Sequence, residues 1–379
     1  MAELIFWLTL GIILYAYFGY PLSILFLSLF FNNDIRRRDI EPSVTFLITA
    51  YNEEKNIREK LENTLSLDYP GDRLEIIVAS DASEDRTDEI VKQFADQGVI
   101  LHRVEGRVGK TETQNQTVKS AKGDIVIFSD ATTRYRKDAI RKLVRNYNDP
   151  SIGAVSGRYE YVNPTGAPVG IGTVLFWKYE NGIKNRQVKI KTVTGCCGCI
   201  YSVRKSLYEL LPRDIISDLV EPLKILEKGY RIAFEPEAVA YEETTETSEE
   251  EFGMRVRVIS RGMHGLWYMR ELFNPFKYGF VTFQLFSHKV LRWMIPFLLP
   301  FLLISNLFLV GYPFYTLTFV AQILLYIGAI GGYLLDRMGK KAKLLALPLY
   351  YCVVNAASAA AFFRTIFGKK AIVWETVRK

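Results

Sequence analysis

Residues 4–31 run without a charged side chain and are rich in Leu, Ile, Phe and Tyr. About 20 apolar residues cross the hydrocarbon core of a bilayer, where only a helix or a closed barrel pairs every backbone polar group. The run therefore predicts a membrane-spanning helix, with its aromatic residues as interfacial anchors. Glu3 stands where a cleaved leader carries a basic region, and no Ala-x-Ala cleavage site follows. The expectation is a retained helix. Arg36, Arg37 and Arg38 come directly after it. Positive residues favour the cytoplasmic side, so the next domain is expected to face the cytoplasm, with the N-terminus outside, in a multi-pass protein of the cytoplasmic membrane.

Three further apolar runs lie at 291–310, 315–335 and 344–363. The last carries Ala356, Ala357, Ser358, Ala359, Ala360 and Ala361, a small-residue face suited to close helix packing. The basic loop 336–343 is expected on the cytoplasmic side. Basic residues also follow the last run (Arg364, Lys369, Lys370, Arg378 and Lys379), which leaves crossing and re-entry both open. Residues 271–289 are apolar and aromatic with scattered Lys and His, a pattern for an interfacial amphipathic helix. The division that results is an N-terminal span at 1–35, a soluble domain at 36–270, an interfacial helix at 271–290 and a C-terminal membrane region at 291–379.

The net charge of +7 does not point to nucleic acid. The basic clusters at 36–38 and 340–343 adjoin apolar runs, which fits a lipid bilayer with anionic headgroups. The four cysteines and three histidines lack zinc-site spacing. The cysteines read as small buried thiols.

The middle of the chain alternates between two periods. Short β-branched runs at 44–48, 74–78, 99–104 and 125–128 read as buried strands. Between them, 52–67, 85–97 and 111–122 read as helices, the first opened by Asn52. Strands alternating with helices predict a mostly parallel sheet with right-handed crossovers. Polar residues gather at the strand ends: residues 49–53, Asp81 and Asp130. In an open α/β sheet that edge binds ligands, although Asp, Ser and Asn also serve as helix caps. Arg107-Val108-Gly109-Lys110-Thr111 sets two cations around a glycine just before a helix, which suits a phosphate. No Gly-x-x-x-x-Gly-Lys-Ser/Thr is present, and no Gly-x-Gly-x-x-Gly follows the first strand. P-loop and dinucleotide-binding enzymes are thereby disfavoured. Asp130, beside Ser129 and Thr132, suits a divalent cation that bridges phosphates.

At these residues the chain resembles the inverting glycosyltransferases of family 2, which have the GT-A fold, and within them the membrane-bound bacterial polysaccharide synthases. The resemblance runs from about residue 43 to 265. Thr49-Ala50-Tyr51-Asn52-Glu53-Glu54 matches the opening nucleotide-binding segment, and Ser80-Asp81-Ala82-Ser83 the second. Gly109-Lys110 followed by Asn115 matches the segment that meets the diphosphate. Ser129-Asp130-Ala131-Thr132 occupies the place of the Asp-x-Asp metal motif, and Ser217-Asp218 the place of the acidic pair that supplies the general base. Thr194-Gly195-Cys196-Cys197-Gly198-Cys199 falls at the acceptor-side loop.

The resemblance implies a GT-A-type α/β domain with α-helical transmembrane segments. It implies Asp218 as catalytic base, with Glu221 as a candidate neighbour. The donor would meet Ala50, Tyr51, Glu53, Asp81, Lys110, Asn115, Arg257 and Arg261. Asp130 and Thr132 would hold a divalent metal, Mg2+ or Mn2+. Single displacement at the anomeric carbon needs one positioned base and a stabilised leaving group, and predicts inversion. The implied partners are a nucleotide-sugar, in particular a UDP-sugar, a sugar or lipid acceptor, and an oligomer or accessory secretion subunits. The product class is a cell-surface polysaccharide. The alternatives are transfer of one sugar to a polyprenyl-phosphate or other lipid, and a non-catalytic membrane scaffold.

The chain departs from the pattern twice. Thr132 stands where a second aspartate is usual, which brings His264 forward as a candidate third metal ligand. The Gln-x-x-Arg-Trp of processive synthases is replaced by the stretch 255–262, with neither its glutamine nor its tryptophan.

Overall fold

The computed structural model describes residues 1–368; Lys369, Lys370, Arg378 and Lys379 lie outside them. The α/β reading holds. Eight strands form one sheet in the order β3-β2-β1-β4-β7-β6-β8-β5. They are β1 (Val44–Ala50), β2 (Leu74–Ser80), β3 (Val99–Arg103), β4 (Ile125–Asp130), β5 (Arg134–Tyr135), β6 (Ile152–Val162), β7 (Tyr201–Arg204) and β8 (Arg231–Glu243). The first four are mutually parallel. Every residue of β1 is buried, as expected for a strand covered on both faces. β7 pairs antiparallel with β4 and β6, and β6 runs parallel to β8.

The chain leaves β1 toward β2 on one side, and β4 returns to its other side. Neighbouring strands that lead in opposite directions open a crevice at their carboxyl ends. Thr49 of β1 lies opposite Asp130 of β4 at that point, so the topology places the metal-motif residue in the crevice.

Two sequence readings shift here. The first helix begins at Ile57, not at Asn52. Asn52 is left-handed, with φ 51°, because residues 52–54 clasp the loop after β2. Its amide donates to Ser83 Oγ (3.2 Å), its Oδ1 accepts from the Glu84 amide (2.8 Å), and the Glu53 amide donates to Thr87 Oγ1 (2.7 Å). These bonds satisfy the backbone without a helix. The second difference lies at 271–289. Its first part forms short helical turns, but Phe280–Leu307 is one continuous helix.

Among the described residues, four helices are long and apolar enough to cross a membrane: Ala2–Phe30, Phe280–Leu307, Pro313–Arg337 and Lys343–Phe367. At one end, Trp7 Nε1 donates to Tyr315 Oη (3.1 Å) and Phe6 packs edge-on against Tyr315. This puts the N-terminus and the 308–312 turn on the same side. At the other end, the Ser248 hydroxyl donates to Asp336 (2.6 Å), and Lys341 bonds the carbonyl of Thr165. The basic loop therefore lies on the side of the sheet domain. Arg37 docks the N-terminal arm onto buried Glu235, which also accepts from Arg145 and Asn146.

Candidate active site

A cavity of about 980 Å³ runs from the carboxyl edge of the sheet to the helices apolar enough to cross a membrane. At its sheet end stand Thr49, Glu53, Lys110, Asp130, Thr132 and Asp218. Arg257 and Arg261 line it from the helix Ser248–Tyr268. Seven of the eleven expected site residues are thus brought to one space. His264 does not border it.

Lys110 opens the helix Lys110–Ser120 directly after Gly109, whose φ of 92° turns the chain into it. A helix N-terminus favours anions. Its ammonium is paired with Asp130 across the cavity floor. Burial alone would lower Lys110, but the charges of Asp130 and Asp218 outweigh it and hold it above its ordinary value.

Asp218 sits in the first turn of the helix Ser217–Glu227. Burial lifts its carboxyl above the usual range, against the cations of Lys110, Arg261 and Lys289 and with the help of the Asp130 charge. A carboxylate raised in this way is a stronger proton acceptor. The loop at 194–199 packs on it: the Cys196 amide donates to the Asp218 carbonyl (3.0 Å), and Gly198 faces its side chain. Arg261 donates to the Ile215 carbonyl (2.8 Å) and Thr111 Oγ1 (3.3 Å), tying this turn to the start of the Lys110 helix. Its Nε is buried with no partner among the described residues.

The other four expected residues lie behind the cavity wall. Asp81 is fully buried and accepts from the amides of Val108 (2.8 Å) and Gly109 (3.1 Å) and from Thr113 Oγ1 (3.1 Å). Its carboxylate is occupied in shaping the 107–113 segment. Asn115 holds the 208–211 turn, donating to the Leu211 carbonyl (2.7 Å) and accepting from the Leu211 amide (3.2 Å) and Tyr208 Oη (3.1 Å). Tyr51 lies under Arg107, whose guanidinium is 3.9 Å from the ring centroid. Ala50 is buried at the end of β1.

Three residues that sequence reading missed shape the metal-motif loop. Thr132 Oγ1 donates to Glu242 (2.7 Å), which also accepts from Tyr159. Lys60, fully buried, donates to Ser129 Oγ (2.7 Å) and the Thr133 carbonyl (2.9 Å). Burial pushes its ammonium down to about 7. Its only sequence signal is a lysine on the apolar face of a helix.

The donor atoms offered by Asp130 and Thr132 are hard oxygens. Among the described residues no cluster of three His, Cys, Asp or Glu side chains is placed to hold a metal. One carboxylate with a hydroxyl fits Mg2+ or Mn2+ where substrate phosphates complete the shell.

Residues 45–211 match the model for glycosyl transferase family 2. Over that segment the chain is similar to the glycosyl transferase family 2 proteins. Over 230 residues it is 32% identical to the probable glycosyltransferase YdaM of Bacillus subtilis, covering 57% of this chain and 54% of that protein. Over 251 residues it is 30% identical to the poly-beta-1,6-N-acetyl-D-glucosamine synthase of Staphylococcus aureus strain COL, covering 64% of this chain and 60% of the synthase. The chain thus matches between half and two thirds of the length of these relatives. In fold it is similar to the mannosyltransferase PcManGT from Pyrobaculum calidifontis, solved with GDP-Man and Mn2+. The TM-score is 0.73 at 22% identity, covering 97% of this chain and 100% of that one. The sheet is the Rossmann-like GT-A arrangement, accompanied by helices apolar enough to span a membrane.

Proposed function

We propose that the protein is a membrane-bound inverting glycosyltransferase. It moves a sugar from a nucleoside-diphosphate sugar, in particular a UDP-sugar, to an acceptor that approaches from the membrane side, in cell-surface polysaccharide or glycolipid synthesis. One observation carries this reading: a single cavity joins Lys110, Asp130 and Asp218 to the apolar spans. The sheet domain would face the cytoplasm, where nucleotide-sugars are made.

The step follows from the side chains. The acceptor oxygen attacks the anomeric carbon as its proton passes to Asp218. The bond from that carbon to the diphosphate oxygen breaks, and the nucleoside diphosphate leaves with the electron pair. Lys110 and the helix N-terminus behind it stabilise the charge on the leaving group. A divalent cation on Asp130 and the Thr132 hydroxyl would add a Lewis acid at the same oxygens. Arg257 and Arg261 line the same cavity from the helix Ser248–Tyr268. One base and no protein nucleophile give inversion.

The stretch 255–262 lacks the Gln-x-x-Arg-Trp of processive synthases, which leaves addition of one sugar open beside chain extension. The test is full-length protein in lipid nanodiscs with membrane lipid extract and a panel of radiolabelled UDP- and GDP-sugars, with the products sized. A single lipid-soluble species supports single addition, and a ladder supports a synthase. Wild-type turnover by Asp218→Asn would falsify the base assignment. No turnover with any donor would return the scaffold alternative.

A further inference from the structure

The membrane half of the cavity carries cations that the transfer step does not use. Lys184, Arg255, Lys289 and Arg292 all border it, against one bordering carboxylate there, Glu180. Glu180 is already engaged: it accepts from Arg292 (2.6 Å) and pairs with His288 (3.2 Å). Arg255 is held by Glu251 (2.8 Å) and Tyr350 Oη (2.7 Å). Lys184 reaches Ser156 Oγ at 3.5 Å. The Lys289 ammonium, which feels the charges of Glu180 and Asp218, makes no hydrogen bond or ion pair among the described residues.

Its position is specific. Lys289 lies within the candidate span Phe280–Leu307, where a charge is costly unless it has a task. A Cβ built on Gly195 would be 3.7 Å from its Nζ, so the ammonium borders the acceptor-side loop. Its field reaches Asp218. The same cavity is lined by Leu325, Leu347 and Val354 from the last two apolar helices. A cation that stood there only to balance Asp218 would be redundant, because Lys110 and Arg261 already act on that carboxylate. An unpaired cation between a reacting carboxylate and an apolar wall matches a molecule with an anionic group next to a long apolar chain.

We propose that Lys289 receives the phosphate of a phosphate-bearing lipid acceptor, whose chain lies between the spans and whose reacting oxygen turns toward Asp218. Arg292 and Lys184 border the same space and add to the attraction, while Glu180 holds Arg292 in place. This inference rests on the proposed transfer reaction, and it narrows the acceptor from anything that enters from the bilayer to an anionic lipid.

Full-length protein in phosphatidylcholine nanodiscs is titrated with citronellyl phosphate, with citronellol and with inorganic phosphate. Binding is read from the fluorescence of Trp177 and Trp293, which border the cavity. UDP and GDP binding is measured on each variant to show that the donor end is intact. The expected result is citronellyl phosphate binding at least about 10-fold tighter than citronellol, a difference of about 1.4 kcal/mol. Lys289→Gln should abolish that preference and Lys289→Arg should retain most of it. Equal affinity for the alcohol and the phosphate, or a preference unchanged in Lys289→Gln, overturns the proposal. Inorganic phosphate binding as tightly as citronellyl phosphate overturns the lipid part and assigns a soluble phosphate. If neither nucleotide binds the wild type, the transferase reading fails first. If the nucleotides bind and the alkyl phosphate shows no preference, only the assignment of Lys289 fails.

Discussion

Gly198 faces the carboxylate of Asp218 so closely that a Cβ on it would fall 2.8 Å from Oδ2. A real Cβ needs more room than that, so Gly198→Ala must displace either the loop or the carboxylate. A sub-ångström shift of a general base costs rate more than binding. Gly198→Ala is expected to lower kcat about 10-fold or more while nucleotide affinity stays within about twofold. Steady-state turnover and nucleotide titration on the same preparation check this. Unchanged kcat would show that Asp218 tolerates the movement and is not held by this contact.

Glu221 predicts how stability depends on pH. Burial pushes its carboxyl up to about 8 from an ordinary 4.5, opposed by the Glu209 amide. Its Oε2 has no hydrogen-bond partner among the described residues. Between those two values the folded protein keeps a proton that the unfolded chain releases. Stability is therefore fullest below about pH 4.5 and declines as pH rises toward about 8. Glu221→Gln removes this dependence. Thermal unfolding of both proteins in nanodiscs should show a Tm advantage of the variant that grows from about pH 5 to about pH 9. Parallel curves would count against the burial argument.

Glu235 is 1% exposed and gathers Arg37, Arg145 and Asn146. Removing one partner of a buried charge cluster leaves the others uncompensated. Glu235→Ala is expected to destabilise the domain by about 3 kcal/mol, with both arginines partly hydrated and so limiting the loss. It should also free the N-terminal arm. Denaturant unfolding gives the first quantity, and proteolysis between residues 31 and 43 reports the second.

Asp130 predicts the metal dependence. If its carboxylate holds the cation, Asp130→Asn should weaken Mn2+ binding at least about 10-fold. The electron paramagnetic resonance signal of free Mn2+ in the presence of UDP measures this without turnover. Equal Mn2+ uptake by variant and wild type would place the metal elsewhere.

The first four strands, their parallel sheet and the polar strand end at Asp130 were legible because they rest on local periodicity and on a rule for parallel strands. Lys110 and Asp218, singled out by the same reading, both line the cavity. Local sequence stops short where long-range contacts decide. Asp81 ends a strand in the expected place, yet three donors from 108–113 occupy it, and nothing local to Asp81 signals them. Asn52 has the composition of a helix cap, but its bonds to 83–84 hold it left-handed. Residues 280–289 are polar enough to suggest an interfacial helix. They continue into the helix Phe280–Leu307 because Gln284 and His288 find protein partners: Gln284 donates to the Thr192 carbonyl (2.9 Å), and His288 pairs with Glu180. Glu242 reaches Thr132 across 110 residues of sequence, a meeting that only the folded sheet produces.

Val354 tests whether the acceptor enters through the membrane face. It borders the cavity from the last span, on the helix that packs against Ser248–Tyr268 and Pro168–Ile190. A tryptophan there would fill the apolar end of the cavity without touching Lys110, Asp130 or Asp218. Val354→Trp is therefore expected to separate two activities that share the donor site. Transfer to a membrane acceptor should fall about 10-fold or more, chiefly through a higher acceptor KM. Nucleotide affinity, and slow hydrolysis of the nucleotide-sugar by water, should hold, because water needs no passage between helices. Overpacking at a partly buried site costs about 1–3 kcal/mol, so a thermal unfolding curve on the same sample must accompany the assay. Acceptor transfer that stays at the wild-type level in a folded variant would mean that the acceptor reaches Asp218 by a route other than the membrane end of the cavity.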